Sequence, residues 1–365
     1  MSTDIWRYVG HMPDVSPVHR ISLGEGGTPL LRSKSIGPSL GLSNLYFKLE
    51  QLNPTGSYKD RFAAAFVSLM KAQGHTLCIA TSSGNTGAAL SAYCAAAGIR
   101  CVLVIVDGAP HAKIRQMQLY GAETIMVSGF GKDTAVTDEV FGQLRSMAAE
   151  FRVPLPVSAY AFCPEGMQGV QTIMCELLDE LQPRHVFSPS GGGGLTLAMA
   201  YGAEIHARSI KPDIMPSIHC VQPEGNDTMA TAIRSGASGG IAIPSSTTEV
   251  SGLQVPGLLD ADLVVQACLA SGGNGHVVKD EEVFHWQRLM AQREGVFCEP
   301  AGAVALAGLA GAVRRKEVGL DDKIVCLVTG SGFKDMLTVE RRFGLPDIQT
   351  LTPDQMVNHI RSTEH

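Results

Sequence analysis

The stretch His185-Val186-Phe187-Ser188-Pro189-Ser190-Gly191-Gly192-Gly193-Gly194-Leu195-Thr196-Leu197-Ala198-Met199-Ala200-Tyr201 changes character partway along. His185–Ser188 is a short apolar run suited to a buried strand, and Gly194–Tyr201 is a leucine- and alanine-rich helical window. Four successive glycines join them. Such a run is costly in chain entropy, and the cost makes sense if bare amides must wrap a phosphate. A flexible surface loop is the plainer alternative. Neither the Gly-Lys-Ser/Thr of a nucleotide loop nor a Gly-x-Gly-x-x-Gly fingerprint is present here.

The same order recurs on both sides. Strands are expected at Leu77–Ala80, Cys101–Val106, Thr124–Val127, Ser217–Val221 and Ile324–Val328. Helices are expected at Ala88–Ala97, Ala112–Tyr120, Thr134–Phe151 and Ala301–Ala312. Strand-then-helix repetition reads as α/β, with parallel sheets flanked by helices. Ligands of such sheets bind at the C-terminal strand edges, where the glycines fall. Pro154, Pro156 and Pro164 suggest a boundary near Phe151–Pro164, and Ile233–Pro256 should be loop. The tail Arg342–His365 carries no motif.

Composition narrows the class. Of 365 residues, 45% are hydrophobic and 18% charged, which permits a sizeable core and argues against disorder. A net charge of −6 without a long basic run makes nucleic acid a poor partner. Nine scattered cysteines, with no Cys-x-x-Cys pair, argue against a disulfide framework or a metal site and for a reducing compartment. Met1–Val15 lacks the apolar core of a secretory signal, and Gly87–Gly98 is too short to span a bilayer. A cytoplasmic protein with no membrane partner is expected.

Three further segments can carry chemistry. In Asn53-Pro54-Thr55-Gly56-Ser57-Tyr58-Lys59-Asp60-Arg61 a turn delivers one lysine to a helix start. Partial burial can make such an amine nucleophilic; an ordinary exposed lysine is the competing reading. Thr81-Ser82-Ser83-Gly84-Asn85-Thr86-Gly87 presents amides and hydroxyls suited to a carboxylate or phosphate, or simply a capping turn. Thr329-Gly330-Ser331-Gly332-Phe333-Lys334-Asp335 places a hydroxyl at a strand end. Glu299 before Pro300 reads as a helix cap, and Cys163 and Cys298 as small apolar fillers.

Together with Glu25-Gly26-Gly27-Thr28-Pro29-Leu30, these ordered blocks resemble the fold type II pyridoxal-phosphate enzymes, the tryptophan synthase β group, and within it most of all threonine synthase. The resemblance runs from about Leu23 to Asp335. It implies two α/β domains, a smaller one over 50–155 and a larger one over 1–49 plus 156–365, with the cofactor in the cleft between them. It implies that Lys59 holds pyridoxal 5'-phosphate as an internal Schiff base and that Asn85 bonds the cofactor's 3′-oxygen. Gly191, Gly192, Gly193 and Gly194 would cradle its phosphate, and Thr329 would meet the pyridine nitrogen. Ser82, Ser83 and Thr86 would grip the carboxylate of a small amino-acid substrate, and a homodimer is expected.

The implied chemistry is a lyase reaction, γ-elimination with β-replacement on an O-activated homoserine-type substrate. A hydroxyl partner leaves the ring nitrogen unprotonated, which suits elimination better than transamination. Two positions depart from the pattern. Gly166, beside Glu165, stands where threonine synthase has arginine, and Phe62 stands where it has glycine. The four-glycine loop is also similar to that of serine/threonine ammonia-lyases, so β-elimination is the alternative. A non-catalytic cofactor-binding sensor or partner subunit is a third reading, against which the intact Lys59, Asn85 and Thr329 argue.

Overall fold

The computed structural model describes residues 4–82, 84–109, 111–344 and 347–362. Nine strands are present among them: β1 Leu30–Arg32, β2 Leu45–Leu49, β3 Leu77–Thr81, β4 Arg100–Ile105, β5 Glu123–Met126, β6 His185–Pro189, β7 Ser217–Pro223, β8 Gly275–Val278 and β9 Ile324–Val328. The helices are α1 Ile36–Ser39, α2 Lys59–Ala72, α3 Asn85–Ala97, α4 His111–Leu119, α5 Thr134–Glu150, α6 Pro164–Glu180, α7 Gly194–Ile210, α8 Ala230–Ser235, α9 Ala261–Ala270, α10 Asp280–Leu289, α11 Pro300–Arg314, α12 Met336–Phe343 and α13 Pro353–Ser362. Met1–Asp335 forms one compact unit and Met336–His365 a second, in which α12 and α13 turn the unread tail into helices.

The first unit contains two sheets. One has the order β3-β4-β5 and is wholly parallel. The other has the order β1-β2-β9-β6-β7-β8 and is parallel except where β1 meets β2. All residues of β6, β7 and β9 are buried, as expected of central strands covered on both faces. Ile233–Pro256 is loop except for the end of α8 at Ser235. No helix among the described residues is long and apolar enough to cross a membrane.

α6 packs against both α2 and α7. At Gly169 an added Cβ would lie 2.1 Å from the Arg61 carbonyl oxygen, so glycine lets α2 and α6 touch backbone to backbone. Between them lies a buried ionic knot. Arg61 is fully buried and donates to Glu50 at 2.8 and 2.7 Å, to Glu176 at 2.7 and 2.9 Å and to Thr172 at 2.9 Å. Lys48 Nζ adds a 2.8 Å contact to Glu176. Burial pushes the Glu176 carboxyl up, but Arg61 and Lys48 overcome it and hold the group down at about 2. Such a knot is weak evidence for stability but costly to break from one side.

A second polar line crosses the large sheet. Arg315 donates to His276 Nδ1 at 2.8 Å. His276 Nε2 lies 3.0 Å from His219 Nδ1, His219 Nε2 lies 3.0 Å from His185 Nδ1, and His185 Nε2 lies 3.2 Å from Asp322. Guanidinium only donates and carboxylate only accepts, so all three rings carry their proton on Nε2. Burial lowers His219 to about 2, with His276 and His185 adding to it, and lowers His276 to about 3.

Candidate active site

α2 grows directly out of the Asn53-Pro54-Thr55-Gly56 turn. Gly56 takes φ +88°, a value glycine adopts without strain, and its amide donates to the Asn53 carbonyl at 2.8 Å. Asp60 ties the turn to the helix. One carboxylate oxygen accepts from the Thr55 amide at 3.1 Å and the Thr55 hydroxyl at 3.0 Å, while the other is buried without a hydrogen-bond partner. Burial raises this carboxyl to about 7, against the Thr55 bonds and the charge of Lys334.

Lys59 leaves the first turn of α2 from this braced base. Its Nζ donates to Ser158 Oγ at 2.7 Å and lies 4.5 Å from the centre of the Tyr58 ring. Ser158 Oγ is also 3.3 Å from Thr86 Oγ1, near the start of α3. The tetraglycine turn reaches the same serine: a Cβ at Gly194 would lie 3.0 Å from the Ser158 carbonyl and 3.4 Å from Asp260 Oδ2. Asp260 accepts from the Tyr160 and Ala161 amides at 2.8 and 2.9 Å. Burial pushes its carboxyl up, opposed by those amides and by the Lys59 charge.

Every glycine of the turn is closely covered. Added Cβ atoms would meet Gly252 and Leu253 at position 191, Leu259 at 192 and Val264 at 193, the last two inside 3.0 Å. Gly193 has φ +99°. This is a packed turn at the helix entrance of α7, and the flexible surface-loop reading is set aside.

The remaining blocks converge from the other side. Tyr58 N–H donates to the Thr329 carbonyl at 3.1 Å, and Ser57 bridges to Gly330. The hydroxyls of Ser57 and Thr329 are both buried without a hydrogen-bond partner. Asn85 Nδ2 donates to Glu299 Oε1 at 2.8 Å. Glu299 stands at the N-cap position of α11 as expected, but its side chain makes no cap hydrogen bond; its carboxylate turns to Asn85 because Gly330 leaves it room, a Cβ there lying 2.2 Å from Oε1. A cleft of about 500 Å³ is lined by Asn53, Thr55, Gly84, Asn85, Gln116 and Lys334 among others. Its lining stops short of Lys59, whose amine lies with Ser158.

Ser82 Oγ accepts from the Gly84 and Gly87 amides at 3.3 and 2.9 Å, the capping arrangement open to this segment from the start. Ser83 lies outside the described residues. Lys59, Thr86 and Gly194 therefore meet at Ser158, and Asn85 meets the Thr329 block through Glu299. Sequence reading missed Ser57, Ser158, Asp260 and the role of Glu299. Of these, Ser57 and Glu299 lay inside segments singled out in the sequence, and Ser158 and Asp260 did not.

The two departures from the family pattern touch each other. A Cβ at Gly166 would lie 2.5 Å from Phe62 Cε2, and Phe62 stacks on Phe66 at 5.8 Å. The Phe62 ring fills the space that a side chain at 166 would take.

A helix-borne lysine held by a serine hydroxyl beside a glycine turn, on two mainly parallel sheets, fits the fold type II class of pyridoxal-phosphate enzymes. Solved structures share the fold: the processed form of threonine deaminase isoform 2 from Solanum lycopersicum has TM-score 0.74 at 20% identity, covering 92% of this chain and 86% of that one. Maize serine racemase has TM-score 0.73 at 24% identity, covering 100% of both. The chain belongs to the family described as "Pyridoxal-phosphate dependent enzyme", whose sequence pattern matches residues 21–330. It is similar to the threonine synthase of Methanocaldococcus jannaschii, 32% identical over 332 residues, covering 91% of this chain and 80% of that protein. It is also similar to the threonine synthase of Bacillus sp., 33% identical over 332 residues, covering 90% and 89%. The protein is a pyridoxal-phosphate-dependent enzyme.

Proposed function

We propose that the protein carries out elimination and replacement on a small amino acid in the manner of a threonine synthase, on an O-activated homoserine-type substrate. The observation that carries this reading is the meeting of three separate blocks on Ser158: the Lys59 amine, the Thr86 hydroxyl and the backbone of the tetraglycine turn. The similarity to threonine synthases over some nine-tenths of the chain supports it.

The residues present suit the cofactor. Lys59 would hold it covalently through its amine. Thr329, whose hydroxyl is buried and unpartnered, would meet the pyridine nitrogen, and the cost of leaving that oxygen unsatisfied would end on binding. Gly191, Gly192, Gly193 and Gly194 would offer amides to the phosphate at the N-terminus of α7. Asn85 would turn from Glu299 to the 3′-oxygen. When bound, the cofactor supplies an electron sink for negative charge developing at the substrate α-carbon.

Ser82, Ser83 and Thr86 would hold the substrate carboxylate at the start of α3, where the helix dipole favours an anion. Lys59, displaced by the substrate amine, would act as general base at the adjacent α-carbon, within reach because it has just left that position. Ser158 would orient the free amine through the bond it already makes. The Tyr58 ring would limit how far Lys59 swings.

The Phe62–Gly166 contact favours a second reading. It narrows the space beside Lys59 and leaves no basic side chain at position 166, which suits a smaller substrate and β-elimination with release of ammonia. One assay separates the two: phosphate release with threonine formation from O-phosphohomoserine, against 2-oxo-acid release from threonine or serine. The first outcome is expected. Oxo acid alone would replace the proposal with the second reading, and neither product would overturn both.

A cytoplasmic homodimer is part of the proposal. Nine free, buried cysteines support a reducing compartment, and sedimentation as a monomer at micromolar concentration would count against the dimer. The domain limits, 50–155 and 1–49 with 156–365, are proposed as well. They are supported by β3, β4 and β5 all falling inside the first range and the other strands outside it.

A further inference from the structure

Three residues remote from the cleft, and far apart in sequence, converge where α6 and α7 meet the N-terminal segment Ile5–His11. They are His11, Cys175 on α6 and His206 on α7, and one ligand atom from each lies within 4.8 Å of the others. His11 Nε2 and His206 Nδ1 are 3.2 Å apart. Two nitrogens bound to one tetrahedral zinc ion at about 2.05 Å would be about 3.3 Å apart.

The outer faces of both rings are already engaged. His206 Nε2 lies 2.7 Å from Asp179 Oδ1. A carboxylate only accepts, so the ring proton is on Nε2 and Nδ1 presents a lone pair. Asp179 is fixed in turn by the Tyr8 hydroxyl, which donates to Oδ2 at 2.7 Å. His11 has a hydrogen bond to the Gly10 backbone that favours a proton on its ring. In the metal-free chain the 3.2 Å contact is therefore a hydrogen bond from His11 Nε2–H to the His206 Nδ1 lone pair; an entering ion would replace the bridging proton, His11 keeping its ring proton on Nδ1 instead. Carboxylate–histidine pairing of this kind is how metal-binding imidazoles are oriented.

We propose that His11, Cys175 and His206 form a binding site for one divalent transition-metal ion of the zinc class, with Asp179 as the positioning residue behind His206. Two imidazoles and a thiolate suit such a borderline-soft ion. Water would complete a tetrahedron on the side of His11, the half-buried member of the set. As the ion enters, the sulfur–metal bond forms and the thiol proton leaves to solvent. Burial opposes that loss by pushing the Cys175 thiol up to about 12, with Asp179 and Glu176 acting the same way and Arg61 against them; of the two carboxylates, Glu176 is already paired with Arg61 and Lys48, so Asp179 is the one that would favour a cation. The thiol now lies 3.6 Å from the Gln171 carbonyl oxygen, a weak contact that metal binding would replace. The site is independent of the reading given for the cleft.

The test uses the full-length, cofactor-loaded protein after chelator treatment, titrated with Co²⁺ and followed by absorption. One equivalent should give a thiolate-to-cobalt charge-transfer band together with tetrahedral ligand-field bands, and Zn²⁺ should bleach both. Cys175→Ser should lose the charge-transfer band, while Cys101→Ser, in the separate buried trio Cys78, Cys94 and Cys101, should keep it. Asp179→Asn should weaken affinity ~10–100-fold while leaving the band's shape intact. A wild-type protein without the band, or an undiminished band in Cys175→Ser, would overturn the proposal, leaving His11 and His206 as an ordinary hydrogen-bonded pair. If Cys175→Ser folds poorly, His11→Gln replaces it, and unchanged affinity in that variant overturns the proposal equally.

Discussion

Thr329 Oγ1 is buried with no partner, and that single atom separates a folding role from a cofactor role. A buried hydroxyl left unsatisfied costs about 1–3 kcal/mol, so Thr329→Val should leave the cofactor-free protein as stable as wild type, or up to about 1 kcal/mol more so. The same change should weaken cofactor binding. Urea titration of the apo form and titration of the visible cofactor band read the two effects separately; a large loss of apo stability would mean that the hydroxyl serves the fold. Lys59→Ala should abolish turnover and the covalent link while leaving the fold intact, checked by hydride reduction and peptide mapping. Both positions could be singled out as candidates in the sequence because each sits in a block whose turn chemistry is local. Ser158 and Asp260 were not, since their meaning comes from Lys59 and Gly194, far away in the chain. Cys175 was invisible as a ligand for the same reason: spacing rules find metal sites only when the ligands are close in sequence.

At the scale of elements, α2 and α6 form the frame on which Lys59 is presented, and two glycines set their distance. Gly169→Ala would press a methyl group against the Arg61 carbonyl at 2.1 Å. Backbone cannot rotate aside as a side chain can, so a loss of at least ~2 kcal/mol is expected from overpacking, with activity falling as α2 shifts. Gly166→Ala meets side chains only, the Phe62 ring at 2.5 Å most closely and the Cys163 sulfur at 3.0 Å. Most of its cost should therefore be relieved by Phe62→Leu, and a double-mutant cycle should give a coupling of ~1 kcal/mol or more; strict additivity would mean that the two positions are not packed as described. Most strands were readable from period, with the helices α3, α4, α5, α7 and α11, but β1, β2 and β8 were not. β1 and β8 are only three and four residues long. β2 carries Lys48, a charged residue whose burial is compensated by Glu176, Glu180 and the Thr28 carbonyl, partners no local pattern reveals. The antiparallel edge β1–β2 consequently stayed hidden, although the parallel centre of both sheets did not.

For the whole molecule, the dependence of stability on pH follows from buried groups with opposite signs. His219 and His276 have folded values near 2 and 3, below the ordinary 6.5. The unfolded chain therefore binds more protons below pH 6.5, and stability is lost as pH falls through that range. One unit below 6.5, the loss is roughly 1.4 kcal/mol for each ring. Asp60 runs the other way: its folded value is about 7 against 3.8 unfolded, so the native state holds the extra proton between those values and stability rises as pH falls from 7 towards 4. Between pH 7.5 and 5.5 Asp60 contributes about +2 kcal/mol against about −3 kcal/mol from the two rings, and wild type should change little. Below pH 4.5 Asp60 has no more to give, and Glu176, held at about 2 by Arg61 and Lys48, joins the histidines in opposing the fold, so stability should then drop steeply. Each half can be exposed by substitution. Asp60→Asn keeps an acceptor for Thr55 and removes the opposing slope, so its unfolding midpoint in urea should fall clearly between pH 7.5 and 5.5. His219→Asn should make the midpoint rise over the same interval. Equal slopes in wild type and both variants would mean that neither Asp60 nor the His185–His219–His276 line titrates with the fold.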